Sequence, residues 1–241
     1  MKILGIIPSR YASTRFPGKP LIMIDGMSMV ERVYKQASKS SSLQKVIVAT
    51  DDERIYDHVK NFGGNVVMTS SSHPSGTDRC AEVLSKETEQ WDAVINIQGD
   101  EPFIDPSQID LLAGLLKNGA QIGTLIKKIQ NTEELMNPNT PKVVIGANHQ
   151  ALYFSRQPIP YLKGSEIHHW HKETDYFKHI GLYGYQSAVL PKLTQLPQGK
   201  AEKSESLEQL RWLENGYPIQ TAVTEVETIA IDTPSDLDRL P

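Results

Sequence analysis

Short apolar runs alternate with helical patterns along the first half of this chain, and that alternation leaves few folds open. Residues 3–8 form an apolar run that a proline breaks and a Ser/Arg/Gly-rich stretch follows, the pattern of a buried strand feeding a long loop. A helical pattern spans about 28–38, then comes a second apolar run, Val46-Ile47-Val48-Ala49, ending at Thr50-Asp51-Asp52. Asp51 or Asp52 can cap the next helix, which Gly63-Gly64 ends. Val66-Val67-Met68 reads as a third strand and Val94-Ile95-Asn96-Ile97 as a fourth. Asp105-Pro106-Ser107-Gln108 then opens a helix with a cap, a proline at the first position and a glutamine at the third. This βαβα rhythm predicts an α/β protein. Its mostly parallel sheet is covered by helices on both faces, with ligands at the carboxyl ends of the strands.

From about residue 120 to 190 the rhythm changes. Strand-like segments at 122–129, 142–145, 152–155 and 179–185 crowd together, with proline-rich connections at 137–141 and 157–161. They read as an inserted lobe, mixed or antiparallel, within a single domain covering 1–241. A periodic helix over 207–215 ends at Gly216, and a strand near 228–231 with a helix capped by Thr233-Pro234-Ser235-Asp236 closes the chain. The length, 241 residues, suits one such domain.

The net charge of −4 gives no long-range attraction to nucleic acid or anionic lipid, so any phosphate ligand must be held by a local cluster of cations. A single cysteine, Cys80, excludes an internal disulfide, suits a reducing compartment and reads as a small buried thiol. The apolar start is too short for a signal peptide or a membrane span, so the expectation is a cytoplasmic protein with no membrane partner. His168, His169 and His171 lack the spacing of a metal site and read as an exposed loop.

The loop after the first strand, Arg10-Tyr11-Ala12-Ser13-Thr14-Arg15-Phe16-Pro17-Gly18-Lys19-Pro20, carries the strongest chemical signal. Three cations and two hydroxyls at a strand's carboxyl end can offset the about four negative charges of a nucleoside triphosphate. The loop is not a GxxxxGK[ST] phosphate loop, and no GxGxxG follows, which disfavours a kinase-type loop and a dehydrogenase. After the fourth strand, Gln98-Gly99-Asp100-Glu101-Pro102 offers acids well placed for Mg²⁺, which takes one or two carboxylates plus phosphate oxygens. Asp105 already serves the helix cap, so Asp100 has no evident structural job. Asp232, after Ile229-Ala230-Ile231, is a second candidate acid, although it also sits beside a cap. Ser75-Gly76-Thr77-Asp78-Arg79 can present backbone N–H groups at a helix start, a weak signal by itself. Arg156, His179, Tyr183, Tyr185, Glu208, Gln209 and Arg211 would suit an acidic sugar. Each also has a plain structural account: Tyr183 and Tyr185 alternate along a strand, and Glu208 and Arg211 are i,i+3 neighbours.

Taken in order, RYASTRFPGKPL, SGTDR, NIQGDEP, YFSR, KHIGLYGY, SLEQLR and IDTPSDL closely resemble the 3-deoxy-manno-octulosonate cytidylyltransferases, from residue 3 to about 238. CMP-sialic acid synthetases resemble the chain in the first loop and differ further along. The resemblance implies a Rossmann-like nucleotidyltransferase core with an inserted lobe used in homodimerisation. It also implies Mg²⁺ as cofactor and transfer of CMP from CTP to 3-deoxy-D-manno-octulosonate (Kdo) for lipopolysaccharide biosynthesis. Carried over by position, Arg10, Ser13, Arg15 and Lys19 match the phosphate loop, and Ser75, Gly76 and Arg79 match the segment near cytidine. Gln98 and Asp100 match the QGD element, and Asp100 and Asp232 match the metal ligands. Arg156, His179, Tyr183, Tyr185, Glu208 and Gln209 match positions around the sugar. Lys19, Arg15, Asp100 and Asp232 would then carry the chemistry, with no evident general base. One departure is the end at Pro241, where family members continue the last helix. The alternatives are the same chemistry on 8-amino-Kdo or a sialic acid, and a CTP sensor without catalysis. A sensor could discard the two metal acids, so their retention argues against it.

Overall fold

A computed structural model describes residues 1–12, 16–227 and 229–239. The parallel part follows the alternation in the sequence: β1 (Ile3–Ser9), α1 (Met29–Ala37), β2 (Lys45–Thr50), α2 (Glu53–Asn61), β3 (Val66–Met68), α3 (Gly76–Lys86), β4 (Ala93–Asn96) and α4 (Pro106–Lys117). The expected caps form. Asp52 accepts from the Arg54 N–H, and Asp105 accepts from Ser107 with Pro106 at the first helical position. Gly63, at φ 80°, ends the turn after α2. The chain continues through β5 (Ile122–Lys128), α5 (Thr132–Met136), β6 (Lys142–Ile145), β7 (Ala151–Ser155), α6 (Trp170–Glu173) and β8 (Phe177–Gln186). It ends with α7 (Leu190–Thr194), α8 (Lys200–Glu205), α9 (Gln209–Glu214) and β9 (Ile219–Val223).

Among the described residues these strands form one nine-stranded sheet with the path β9-β5-β8-β4-β1-β2-β3, to which the β6–β7 hairpin joins through β8. Every strand on that path except β8 runs in the same direction. The period-two alternation of the strands splits the core. Leu4, Ile6, Ile47 and Val94 face Cys80, Val83, Leu190, Leu210 and Trp212 of α3, α7 and α9. Ile3, Ile7, Val46, Val48 and Ile95 face Val30, Val33, Ile55, Val59, Ile109 and Leu112 of α1, α2 and α4. Helices therefore cover both faces, and both faces of the strands are apolar. Cys80 lies in that core, where burial pushes its thiol pKa up and keeps it unreactive.

Two boundaries differ from the sequence reading. Residues 122–128 and 177–186 are strands of the main sheet, and the hairpin of β6 and β7 joins it through β8, so the excursion between 129 and 176 returns to the sheet at 142–155. Crowded strand signals look the same in an insertion and in a sheet whose neighbours are distant in sequence. Of the strand expected near 228–231, the described residues 229–231 form none. The last strand is β9, and Thr228 lies outside the described residues. The apolar run 229–231 instead ends in Ile231, fully buried with Ile24 and Met29 against Phe16, Phe103 and Leu237. A short apolar run can plug a satellite core as well as pair in a sheet.

The order of strands sets the position of a cleft. The chain moves outward from β1 to β2 and β3, then returns to place β4 on the other side of β1. The loops leaving β1 and β4 diverge there, and ligands bind at such a switch point. Antiparallel β8 pairs Tyr183 with Asn96 at the carboxyl end of β4, so the first half of β8 projects past that end. Beside it, α8 and α9 are fastened by Arg211, whose guanidinium makes two bonds to Glu202, at 2.8 and 2.6 Å, with both side chains nearly fully buried. Glu202→Ala strands a buried guanidinium and is expected to destabilise the protein by about 3–5 kcal/mol. Pairing Glu202→Leu with Arg211→Met should recover most of that loss. Urea unfolding of the three proteins measures both effects.

Candidate functional site

Loops from three distant parts of the chain meet at one ammonium group. Lys19 sits on the short 3-10 turn Lys19–Leu21 that follows β1, and its Nζ lies 2.8 Å from Asp100 Oδ2 and 3.6 Å from Asp232 Oδ1. The same Nζ donates to the Ile231 carbonyl at 2.9 Å, and the Ile231 N–H donates to the Asp100 carbonyl at 2.9 Å. Asp232 is held in turn by Asp236, whose Oδ2 accepts from the backbone N–H of Asp232 and Thr233 at 3.0 and 2.8 Å. The two acids read in the sequence as candidate metal ligands thus converge on a single point. Side-chain exposures of 14% for Lys19, 27% for Asp100 and 44% for Asp232 leave that point open to a ligand from one side.

Backbone geometry explains two glycines here. A Cβ on Gly99 would come 2.7 Å from the Pro8 carbonyl, so only glycine lets the loop after β4 lie against the end of β1. Gly18 has φ 73°, and its N–H donates to the Tyr11 carbonyl at 2.9 Å, closing the base of the first loop. The Tyr11 ring is stacked under the Arg54 guanidinium at 3.3 Å. Ser13 and Arg15, expected at the triphosphate, lie outside the described residues.

Two adjoining cavities share Pro8, Gln98 and Asp100. The first, about 400 Å³, is lined by Ser9, Arg10, Ala12, Lys19 and Asp232 among others, and its surface is chiefly polar. The second, about 410 Å³, is lined by Gly76, Thr77, Asn96, Glu101, His179, Gly181, Tyr183, Tyr185 and Glu208. Its walls are firm. Trp212 sets its edge against both Tyr183 and Tyr185, with ring centroids 5.1 and 5.6 Å apart. Glu208 accepts from Thr77 Oγ1 at 2.8 Å, and burial raises its carboxyl pKa. Burial pushes the His179 pKa down to about 3, so its imidazole is neutral at working pH. The Tyr183 and Tyr185 hydroxyls, raised by the same desolvation, stay protonated.

Of the residues singled out in sequence, Arg10, Lys19, Gly76, Gln98, Asp100, His179, Tyr183, Tyr185, Glu208 and Asp232 line one cavity or the other. Four do not. Ser75 caps α3, accepting from the Asp78 N–H and donating to Asp78 Oδ2. Arg79 is 1% exposed and turned inward to Thr69 and Asp51, where it ties α3 to the ends of β2 and β3. Arg156 donates to the carbonyls of Glu205, Pro138 and Ser206, holding the turn that leads to Glu208. Gln209 is buried at the start of α9. A lone arginine in a sequence does not reveal whether it serves a ligand or a set of unpaired carbonyls. Conversely, Asn96 was not singled out, Thr77 was named only within the turn 75–79, and Glu101 only beside Asp100 as a candidate metal acid, not as a wall of the second cavity. For Asn96 a signal existed, because a polar residue inside the run Val94-Ile95-Asn96-Ile97 has no place in a dry core.

The family model described as cytidylyltransferase matches residues 4–229. A 3-deoxy-manno-octulosonate cytidylyltransferase of Cytophaga hutchinsonii is 54% identical over 241 residues, covering 100% of this chain and 96% of that protein. The enzyme of the same name from Parabacteroides distasonis is 53% identical, covering 99% and 96%. The solved structure of CMP:2-keto-3-deoxy-manno-octonic acid synthetase complexed with CTP superposes with a TM-score of 0.91 at 40% identity, over 99% of this chain and 96% of that one. A match of this extent, in sequence and in fold, runs through the strands, the loops at their carboxyl ends and both cavities, and this chain belongs to the 3-deoxy-manno-octulosonate cytidylyltransferase family.

Proposed function

We propose that the chain transfers CMP from CTP to the anomeric hydroxyl of Kdo, giving CMP-Kdo and pyrophosphate for lipopolysaccharide biosynthesis. The observation that carries this reading is the join of the two cavities at Asp100. One cavity presents cations suited to a triphosphate. The other presents neutral and acidic hydrogen-bonding groups suited to a polyhydroxy sugar, and the reacting atoms meet between them.

The donor set fits Mg²⁺. Asp100 and Asp232 are hard oxygen ligands aimed at one point that already attracts a cation, and two carboxylates with phosphate oxygens are a usual Mg²⁺ environment. Bound there, Mg²⁺ would supply charge neutralisation at the α-phosphate and make a nearby hydroxyl more acidic. The chain's own residues do the rest. Arg10 and Lys19 bind the phosphates and offset charge developing on the leaving pyrophosphate. Gln98, fixed by its bond to the Gly181 carbonyl at 2.6 Å, separates the two substrates and orients both. Tyr185, Glu208 and His179 hold the sugar so that its anomeric oxygen faces the α-phosphorus. That oxygen gives up its proton to solvent and forms the new bond as the bond to pyrophosphate breaks, in line and with no covalent enzyme intermediate. A nucleotide substrate and a single thiol favour the cytoplasm. Leu152 on the edge hairpin and Tyr161 in the segment that follows it, 60% and 74% exposed, favour a homodimer through that region.

Pyrophosphate release measured with each of the four nucleoside triphosphates against Kdo, 8-amino-Kdo and N-acetylneuraminate is expected to be fastest for CTP with Kdo. A preference for another acceptor at equal CTP would move the function to that sugar. Asp100→Asn should lower kcat by at least about 100-fold while CTP binding, followed by calorimetry, weakens far less, because Arg10 and Lys19 remain. Near-normal turnover at saturating Mg²⁺ would remove Asp100 from the reaction. Lys19→Met should leave the thermal melt close to that of the natural protein but cut kcat/KM for CTP by about 30- to 1000-fold, roughly 2–4 kcal/mol. Lys19→Arg should restore only part of it, since a planar fork does not occupy the place of an ammonium.

A further inference from the structure

Strand β8 does not run straight past the sugar cavity. Its register against β5 jumps between Ile180, opposite Leu125, and Tyr183, opposite Thr124, and this bulge turns carbonyls of 180–182 away from the ladder. Side chains satisfy them. Gln98 Nε2 donates to the Gly181 carbonyl, while Thr124 Oγ1 lies 3.1 Å from the Ile180 carbonyl and 2.9 Å from that of Leu182. The same Thr124 oxygen, fully buried, lies 3.2 Å from His179 Nε2.

A hydroxyl has one proton to give and two lone pairs to receive with. Carbonyl oxygens only accept, so the Thr124 proton is directed to them. If it pointed at His179 instead, the bare lone pairs of the fully buried hydroxyl would press on two carbonyl oxygens with no proton between. Thr124 therefore receives from His179, and Nε2 carries the hydrogen. The ring is neutral, so Nδ1 carries none. Phe154 and Tyr183 pack against the ring with centroids 5.3 and 5.2 Å away and hold its plane. Among the described residues no group hydrogen-bonds to Nδ1, and His179 lines the sugar cavity.

We propose that Thr124 is a positioning residue that fixes His179 as the Nε2–H tautomer, so that its Nδ1 offers the sugar acid an acceptor and no donor. This rests on the reading of the second cavity as the sugar site. The consequence is selectivity at one point of the substrate. A hydroxyl, which can donate, is held there, whereas an ether or carbonyl oxygen would meet a lone pair.

The test pairs a spectrum with kinetics. Protein labelled with ¹⁵N-histidine, with the His179 signals assigned by comparison with His179→Gln, should show a protonated Nε2 and an unprotonated Nδ1 at pH 7. Thr124→Val, which keeps shape and removes the hydroxyl, should change or mix the tautomer and raise KM for Kdo by about tenfold, with KM for CTP within about twofold of the natural value. Thr124→Ser should return both toward the natural protein. The natural protein's spectrum decides the tautomer even if Thr124→Val does not fold. A hydrogen on Nδ1 in the natural protein, or an unchanged His179 spectrum in Thr124→Val, overturns the role of Thr124. The expected tautomer together with an unchanged KM for Kdo overturns the acceptor role. A rise in KM for CTP alone would sink the sugar-site reading, which the spectrum keeps separate from the tautomer.

Discussion

The site depends on one charge held between two opposite ones. Lys19 comes from the loop after the first strand, Asp100 from the loop after the fourth and Asp232 from the end of the chain. At 2.8 and 3.6 Å the ammonium offsets the repulsion that would otherwise push the two carboxylates apart. The Ile231 backbone closes the arrangement through its carbonyl and N–H. An exposed ion pair contributes little to stability, but this one is partly shielded and fixed by backbone hydrogen bonds, so it sets positions more than it stabilises. Three loops that are far apart in sequence are thereby held at one point, which on the function proposed above would lower the reorganisation needed when substrate binds.

The reversed strand supplies the second half of the site. Had β8 been parallel, its carboxyl end would have reached the cleft and its start would have been buried on the far side. Running antiparallel between β4 and β5, it brings Tyr183 level with the end of β4 and His179 past it, into the cavity that Gln98 and Asp100 also line. The bulge at 180–183 is the cost of that path, and the polar side chains that satisfy it belong to the site itself. Firmness comes from behind, where Trp212 braces the two tyrosines and the buried Glu202–Arg211 pair anchors the turn before Glu208.

Much of this was legible in the residues. The alternation of apolar runs and capped helices defined β1 to β4 and α1 to α4, because each pattern is local and satisfied by its own hydrogen bonds. The two loops that carry Lys19 and Asp100 stood out because charge gathered at strand ends has no structural use. The lobe boundaries did not follow, since strand signals carry no record of their partners. The strand expected at 228–231 failed for a related reason: an apolar triplet reports burial, and burial can occur in a sheet or under a loop.

The sequence by itself determined the α/β alternation, the caps, the chemistry of the two loops and, through the motifs RYASTRFPGKPL and NIQGDEP, the family. These are properties of contiguous residues, whose spacing and polarity are written in the chain. Only the tertiary structure decided which polar side chains face a ligand and which face the protein. Arg79 and Arg156 have the right chemistry for a substrate, yet one is bound to Asp51 and Thr69 and the other to three carbonyls. Thr124 carries no signal in sequence, and its role depends on a bulge that forms only when β8 meets β5. A hydrogen bond between residues 55 apart has a direction only once the strands that hold its partners are paired, because every competing acceptor around the hydroxyl is placed by the fold.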